Sequence, residues 1–266
     1  MVPPRRPMSQ RVRGRLLSLP SLARLDRVRR LATMNYRTMS RELAYQPGEQ
    51  FRDELLDLKA FMRRAFQVLV YNAIDGDYAE FGCCGATTFT LAWGAADLVG
   101  HKAHLWAFDS FEGLPSSTDP RDAHTGWTEG VMAMTEEAFI GRCQANGVPE
   151  QAYTTVPGFY SESLSSGSRD PRPGRICFAY VDCDLYTSTL QALEFLGDRL
   201  CHGAVVAFDD YYCFSESHPS GERLAVTEFF ANHERWRLVP YIQWGWYGMS
   251  FIIEARQSAP APAFSW

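Results

Sequence analysis

Four aspartates close two apolar runs in the middle of the chain. Ile176-Cys-Phe-Ala-Tyr-Val181 leads into Asp182 and Asp184, and Ala204-Val-Val-Ala-Phe208 leads into Asp209 and Asp210. Carboxylates brought close together repel one another unless a cation sits among them, and an all-oxygen set suits a hard ion such as Mg²⁺. Each aspartate taken singly also fits a helix N-cap or a surface turn. Their repetition at two successive run ends favours a site. Upstream, Gly82-Cys-Cys-Gly85 forms a glycine turn, and Leu105-Trp-Ala-Phe108 ends in Asp109. Glycines at such a turn let a ligand approach the backbone at a helix N-terminus, and an acid ending the next strand can hold ribose hydroxyls. Asp109 would serve equally as a cap for the turn that follows.

The elements that must position these residues follow from periodicity. Between the two acid-tipped runs, Leu190, Leu193, Leu196 and Leu200 recur at helical spacing, with Thr187 to Thr189 as the expected cap. The unit reads strand–helix–strand. A right-handed crossover makes its strands parallel, so the acids converge on one edge of an open α/β sheet, where such sheets bind ligands. Leu55, Leu58, Phe61, Met62, Ala65, Phe66 and Leu69 predict a helix over residues 51–70. Strands are expected at 77–81, 105–109, near 152–157, and at 236–241 and 249–255, with helices from Thr87, over 136–146 and over 222–232. The turn Trp244-Gly-Trp-Tyr-Gly248 joins the last two strands as an antiparallel hairpin. Residues 110–135 show neither period, and so long a loop in a compact domain reads either as a lid or as an ordered surface excursion. Trp127, Met132 and Met134 of that loop, with Trp244, Trp246 and Tyr247 of the hairpin, either wall an acceptor pocket or pack the sheet edge.

Composition narrows the classes. The 266 residues are 46% hydrophobic and 14% aromatic, enough for a large core, and the net charge of -5 argues against nucleic acid as the main partner. No apolar run is long and charge-free enough to span a bilayer. Seven cysteines without metal-type spacing read as reduced thiols of a cytoplasmic protein. Lys59 and Lys102 are the only lysines, which leaves few candidates for a lysine base. Residues 1–37 carry ten arginines against the single acid Asp26 and read as a basic, flexible arm able to assist a homo-oligomer. Residues 38–70 read as an N-terminal helical segment, 71–257 as the catalytic domain and 258–266 as a flexible tail.

Four blocks together resemble the macrocin O-methyltransferase family (TylF/MycF type): Glu80-Phe-Gly82, Phe108-Asp-Ser-Phe-Glu-Gly-Leu-Pro115, Val181-Asp-Cys-Asp-Leu-Tyr-Thr-Ser-Thr189 and Phe208-Asp-Asp-Tyr211. They occur in family order, and the likeness runs from about residue 70 to 255. The resemblance implies a Rossmann-like class I methyltransferase fold: a mostly parallel seven-stranded sheet closed by an antiparallel hairpin. It implies an enzyme that uses S-adenosylmethionine and Mg²⁺ to methylate a hydroxyl, most often of a sugar on a natural product. Asp109 would then take the cofactor's ribose hydroxyls, Glu80 and Gly82 would line its amino-acid end, Gly158 and Phe159 would form a turn near its adenine, and Ser110 would also bind the cofactor. Asp182, Asp209 and Asp210 would ligate Mg²⁺, with Asp184 supporting or capping. Asp182 is the expected proton acceptor; His124 and His218 are alternative bases. An NAD-dependent oxidoreductase would want the same glycine turn and Asp109, but leaves the paired acids unexplained. A non-catalytic S-adenosylmethionine-binding scaffold would keep Glu80 and Asp109 and should have lost the metal acids.

Overall fold

A computed structural model describes residues 48–123, 126–165, 171–231 and 233–256. The arm at 1–37, the tail at 258–266 and His124 lie outside the described residues. Among the described residues the first elements are α1 (Glu49–Tyr71), β1 (Asp77–Phe81), α2 (Thr87–Val99) and β2 (Leu105–Asp109). After the long loop come α3 (Glu136–Ala145), β3 (Tyr153–Pro157), a single-turn helix α4 (Tyr160–Ser163) and β4 (Ile176–Val181). The chain closes with α5 (Tyr186–Gly197), β5 (Leu200–Phe208), α6 (Gly221–Ala231), β6 (Trp236–Trp244) and β7 (Gly248–Ala255).

The seven strands lie in the order β3-β2-β1-β4-β5-β7-β6. The first five are parallel and β7 is antiparallel to both its neighbours, as the resemblance implies. β4 is buried along its whole length, which is why it reads as an unbroken apolar run and not as an alternation. Strand alternation divides the core into two layers. Tyr78, Phe178 and Tyr180 face α1, α2 and α3, where Phe61, Phe66, Phe89 and Phe139 are buried. Phe81, Phe108 and Val181 face the opposite side, against Leu193, Phe195, Leu196 and Phe230 of α5 and α6.

Two local expectations shift. Leu200 belongs to β5, paired with Ile176, because α5 ends at Gly197 and the chain turns through Asp198 and Arg199. The hairpin turn is shorter than expected, since Trp244 and Gly248 are still paired strand residues. Trp244 is fully buried and stacked on Phe61 at 4.0 Å, so it packs the sheet against α1.

Candidate active site

The ladder of the parallel strands continues one residue beyond each strand end. The Gly82 N–H donates to Phe108 O at 2.9 Å, Asp182 N–H to Phe81 O at 2.8 Å, and Asp209 N–H to Val181 O at 2.9 Å. Gly158 N–H reaches Asp109 O at 3.0 Å. These bonds set Gly158, Asp109, Gly82, Asp182 and Asp209 in a row along the carboxyl edge, across the point where strand order reverses between β1 and β4. A cavity of about 580 Å³ opens there, in the range of small-molecule sites. Its floor carries Gly82, Asp109, Ser110, Phe159, Asp182, Asp184, Asp209 and Asp210.

Only glycine fits at position 82. Its φ is +87°, and a Cβ would stand 1.8 Å from the Asp182 carbonyl oxygen, so β1 and β4 could not close at this edge. Asp109 is fixed by the backbone around it: its Oδ2 accepts from Cys83 N–H at 2.5 Å and its Oδ1 from Phe111 N–H at 2.7 Å. Burial raises its pKa, and those two N–H groups oppose the rise. Each oxygen keeps a second lone pair for a ligand hydroxyl. Glu80 and Gly158 do not open on the cavity. Glu80 is fully buried beneath it, accepting from Thr88 Oγ1 at 2.6 Å and from the Tyr78 hydroxyl, and so ties the first turn of α2 to β1.

The acids form a tight group. One oxygen from each of Asp182, Asp184 and Asp210 lies within 4.8 Å of the other two. Asp209 stands beside this trio with the Tyr180 hydroxyl donating to its Oδ1. Asp184 joins the trio because its backbone turns left-handed at φ 60, folding the carboxylate back after the strand has ended. Asp184 is not a cap, since the N-cap of α5 is Leu185 and has no side-chain bond. Burial raises Asp182 well above the usual carboxylate range, and the charges of Asp209 and Asp210 add to it. Burial followed by the Asp210 charge lifts Asp184 to about 9; burial and the same neighbour lift Asp209 to about 7, against the Tyr180 bond. The ion pairs among the described residues join Arg64 to Asp57, Arg121 to Asp119 and Glu228, and Arg237 to Glu254. None touches these acids. Three oxygens so placed, crowded and without a basic partner, fit a hard divalent cation, whose ligand oxygens stand about 3–4 Å apart.

Two residues that pattern reading passed over hold the site together. Asp122, in the lid loop, accepts from Thr187 N–H at 3.1 Å and Thr187 Oγ1 at 2.7 Å, so the N-terminus of α5 is capped from 65 residues away. Ser117 Oγ also donates to Asp122, and Arg121 lies 3.9 Å over the Tyr186 ring. The loop's Leu114, Pro115, Trp127 and Met132 thereby wall the cavity opposite Thr187, Ser188 and Gln191. Met134 packs on the core instead, and neither Trp246 nor Tyr247 lines the cavity. Glu222 is the second such residue, fully buried between the two acid-bearing loops. Nothing in the spacing of Asp122 or Glu222 signals a partner so far along the chain. His218 is exposed and away from the cavity lining.

The Macrocin-O-methyltransferase (TylF) family profile matches residues 57–239, more than half of the chain. The chain belongs to this family. A Streptomyces olivaceus relative described as 8-demethyl-8-(2,3-dimethoxy-alpha-L-rhamnosyl)-tetracenomycin-C 4'-O-methyltransferase is 30% identical over 151 residues. That alignment covers 54% of this chain and 56% of the relative, a little over half its length. Among solved structures, the O-methyltransferase NovP superposes with a TM-score of 0.60 at 21% identity, over 75% of this chain and 80% of that one. CalS11, a calicheamicin methyltransferase, superposes with a TM-score of 0.58 at 19% identity, over 94% and 99% of the two chains. The fold is therefore the Rossmann-like class I methyltransferase fold, and a nicotinamide oxidoreductase is set aside by the TylF match.

Proposed function

We propose that this TylF-family chain transfers a methyl group from S-adenosylmethionine to a hydroxyl of a sugar on a small natural product, with Mg²⁺ held by the acids at the ends of β4 and β5. The observation that carries the reading is the shared edge: a glycine gap, a ribose-type carboxylate and a cation-ready acid trio open into one cavity. The family match and the rhamnosyl acceptor named for the Streptomyces olivaceus relative support the choice of a sugar hydroxyl.

S-adenosylmethionine supplies an electrophilic methyl group, so transfer is an in-line displacement that needs proximity, a dry site and an acceptor oxygen relieved of its proton. Asp109 would bind the ribose hydroxyls through its free lone pairs, with Ser110 and Phe159 beside it. Glu80 would act from below by holding the first turn of α2 to β1, and Gly158 by shaping the turn before Phe159. Asp182 and Asp210 would ligate Mg²⁺. The expectation drawn from resemblance made Asp209 the third ligand, whereas the oxygen geometry favours Asp184, with Asp209 held by Tyr180 beside them. Bound Mg²⁺ would lower the pKa of a coordinated hydroxyl. Asp182, at the same place, would accept the proton. The lid loop, anchored by Asp122, would exclude water from the reacting atoms.

The seven free thiols fit a reducing, cytoplasmic setting, and no helix among the described residues is long and apolar enough to cross a membrane. The direct test offers labelled S-adenosylmethionine with paired acceptors, a rhamnosylated polyketide and its sugar-free aglycone. Label should enter the glycoside alone; methylation of the aglycone at an equal rate would refute the sugar assignment.

A further inference from the structure

The ladder holds the acid trio only in part: Asp182 N–H still donates to Phe81 O, whereas Asp184 and Asp210 lie beyond the last ladder bonds of β4 and β5. What fixes the two loops is the start of α6. Ser220 Oγ donates to the Asp210 carbonyl at 2.6 Å. Gly221 lets the helix approach the backbone of the other loop: a Cβ there would stand 2.6 Å from Tyr186 N and 2.8 Å from Asp184 O. Glu222 then spans both loops, its Oε1 accepting from Cys183 N–H at 3.2 Å and its Oε2 from Asp210 N–H at 2.8 Å. Ser220 and Glu222 are 1% and 0% exposed, so water does not replace these bonds.

We propose that Ser220, Gly221 and Glu222 form a clamp that sets the distance between the β4 and β5 acid loops, and that Glu222 is a positioning residue for the cation site. The proposal rests on the reading that those acids bind Mg²⁺. Each Glu222 oxygen accepts a backbone N–H of one acid-bearing loop, and Glu222 stands outside the group of close-set oxygens from Asp182, Asp184 and Asp210, so it acts through them and is not counted among the ligands. A further buried carboxylate beside the four aspartates makes sense on this basis: no neutral side chain of that size offers two acceptors to two converging donors. Glutamine would present one acceptor and one donor, and its N–H₂ would oppose one of the two backbone N–H groups.

The experiment compares the full chain with Glu222→Gln, Ser220→Ala and Gly221→Ala by three readouts. These are deuterium exchange in peptides covering 182–185 and 208–211, calorimetric Mg²⁺ affinity, and calorimetric S-adenosylmethionine affinity. The clamp predicts faster exchange in both peptides for Glu222→Gln, at least a tenfold loss of Mg²⁺ affinity, and cofactor affinity within twofold of the parent. Ser220→Ala and Gly221→Ala change no charge, so a drop in Mg²⁺ affinity in either separates positioning from simple removal of a negative charge. Unchanged exchange in Glu222→Gln, or full Mg²⁺ affinity in both charge-neutral variants, overturns the clamp. If the parent binds no Mg²⁺, the metal reading fails, and the exchange data alone decide whether the loops are held this way.

Discussion

Glu80→Gln is the sharpest perturbation of the site's electrostatics. Glu80 has no solvent contact, and burial lifts its pKa from 4.5 to about 8, against the Thr88 and Tyr78 bonds and with help from the charges of Asp209 and Asp109. The unfolded chain releases this proton near 4.5, whereas the folded chain holds it to about 8. Stability from this group is therefore fully present below 4.5, falls as pH rises through the window, and is lost above about 8. At roughly 1.4 kcal/mol per pH unit, the whole window is worth at most about 5 kcal/mol, and the part from pH 6 to pH 8 about 3 kcal/mol. Glutamine keeps the volume and offers an oxygen to Thr88 and an N–H to the Tyr78 oxygen, but does not titrate. In EDTA, wild type should lose roughly 6–12 °C more melting temperature than Glu80→Gln between pH 6 and pH 8. Thermal melts of the two proteins across that range are the assay. Parallel curves would refute a buried, titrating Glu80.

Asp109→Ala should weaken S-adenosylmethionine binding by about 1.5–3 kcal/mol, roughly tenfold to a hundredfold in Kd by calorimetry; unchanged affinity would remove Asp109 from the ribose site. Asp122→Ala leaves three donors without their acceptor and should cost about 1–3 kcal/mol by denaturant unfolding. Its acceptor KM should rise several-fold while cofactor affinity holds; an unchanged KM would show that the loop is not anchored through this carboxylate. Deleting residues 1–37 should leave cofactor affinity intact and lower the oligomeric mass in light scattering, and a truncated chain unable to bind cofactor would contradict the separation of arm and site.

The strands that carry the site were legible because burial on both faces leaves plain marks. β2 and β4 match their apolar runs end for end, each bounded by the acid that matters. Gly82 was legible as a place for a ligand to approach the backbone, whereas the need for glycine there comes from the Asp182 carbonyl packed against it, which spacing does not reveal. Side-chain direction beyond the strand ends was not legible. Period-two alternation lapses at Val181, so the left-handed turn that swings Asp184 into the trio had no trace in spacing. The cap of α5 was sought in its own threonines and comes from Asp122, across the cavity. Glu222 looked like an ordinary acid in a first helical turn, because its partners are backbone N–H groups from two distant loops. Trp244 was ambiguous until α1 was placed, and its stacking on Phe61 settles it as core.

The central claim is a methyl transfer that depends on a cation held by Asp182 and its neighbours. The deciding measurement is labelled methyl transfer to a rhamnosylated acceptor in EDTA, after Mg²⁺ is restored, and in Asp182→Asn, Asp184→Asn, Asp209→Asn and Asp210→Asn. Turnover should vanish in EDTA, return with Mg²⁺, and fall by orders of magnitude in the Asp182, Asp184 and Asp210 variants while S-adenosylmethionine still binds. Asp209→Asn should retain more activity than Asp184→Asn, as the positions of their oxygens imply. Full turnover in EDTA would contradict the claim outright.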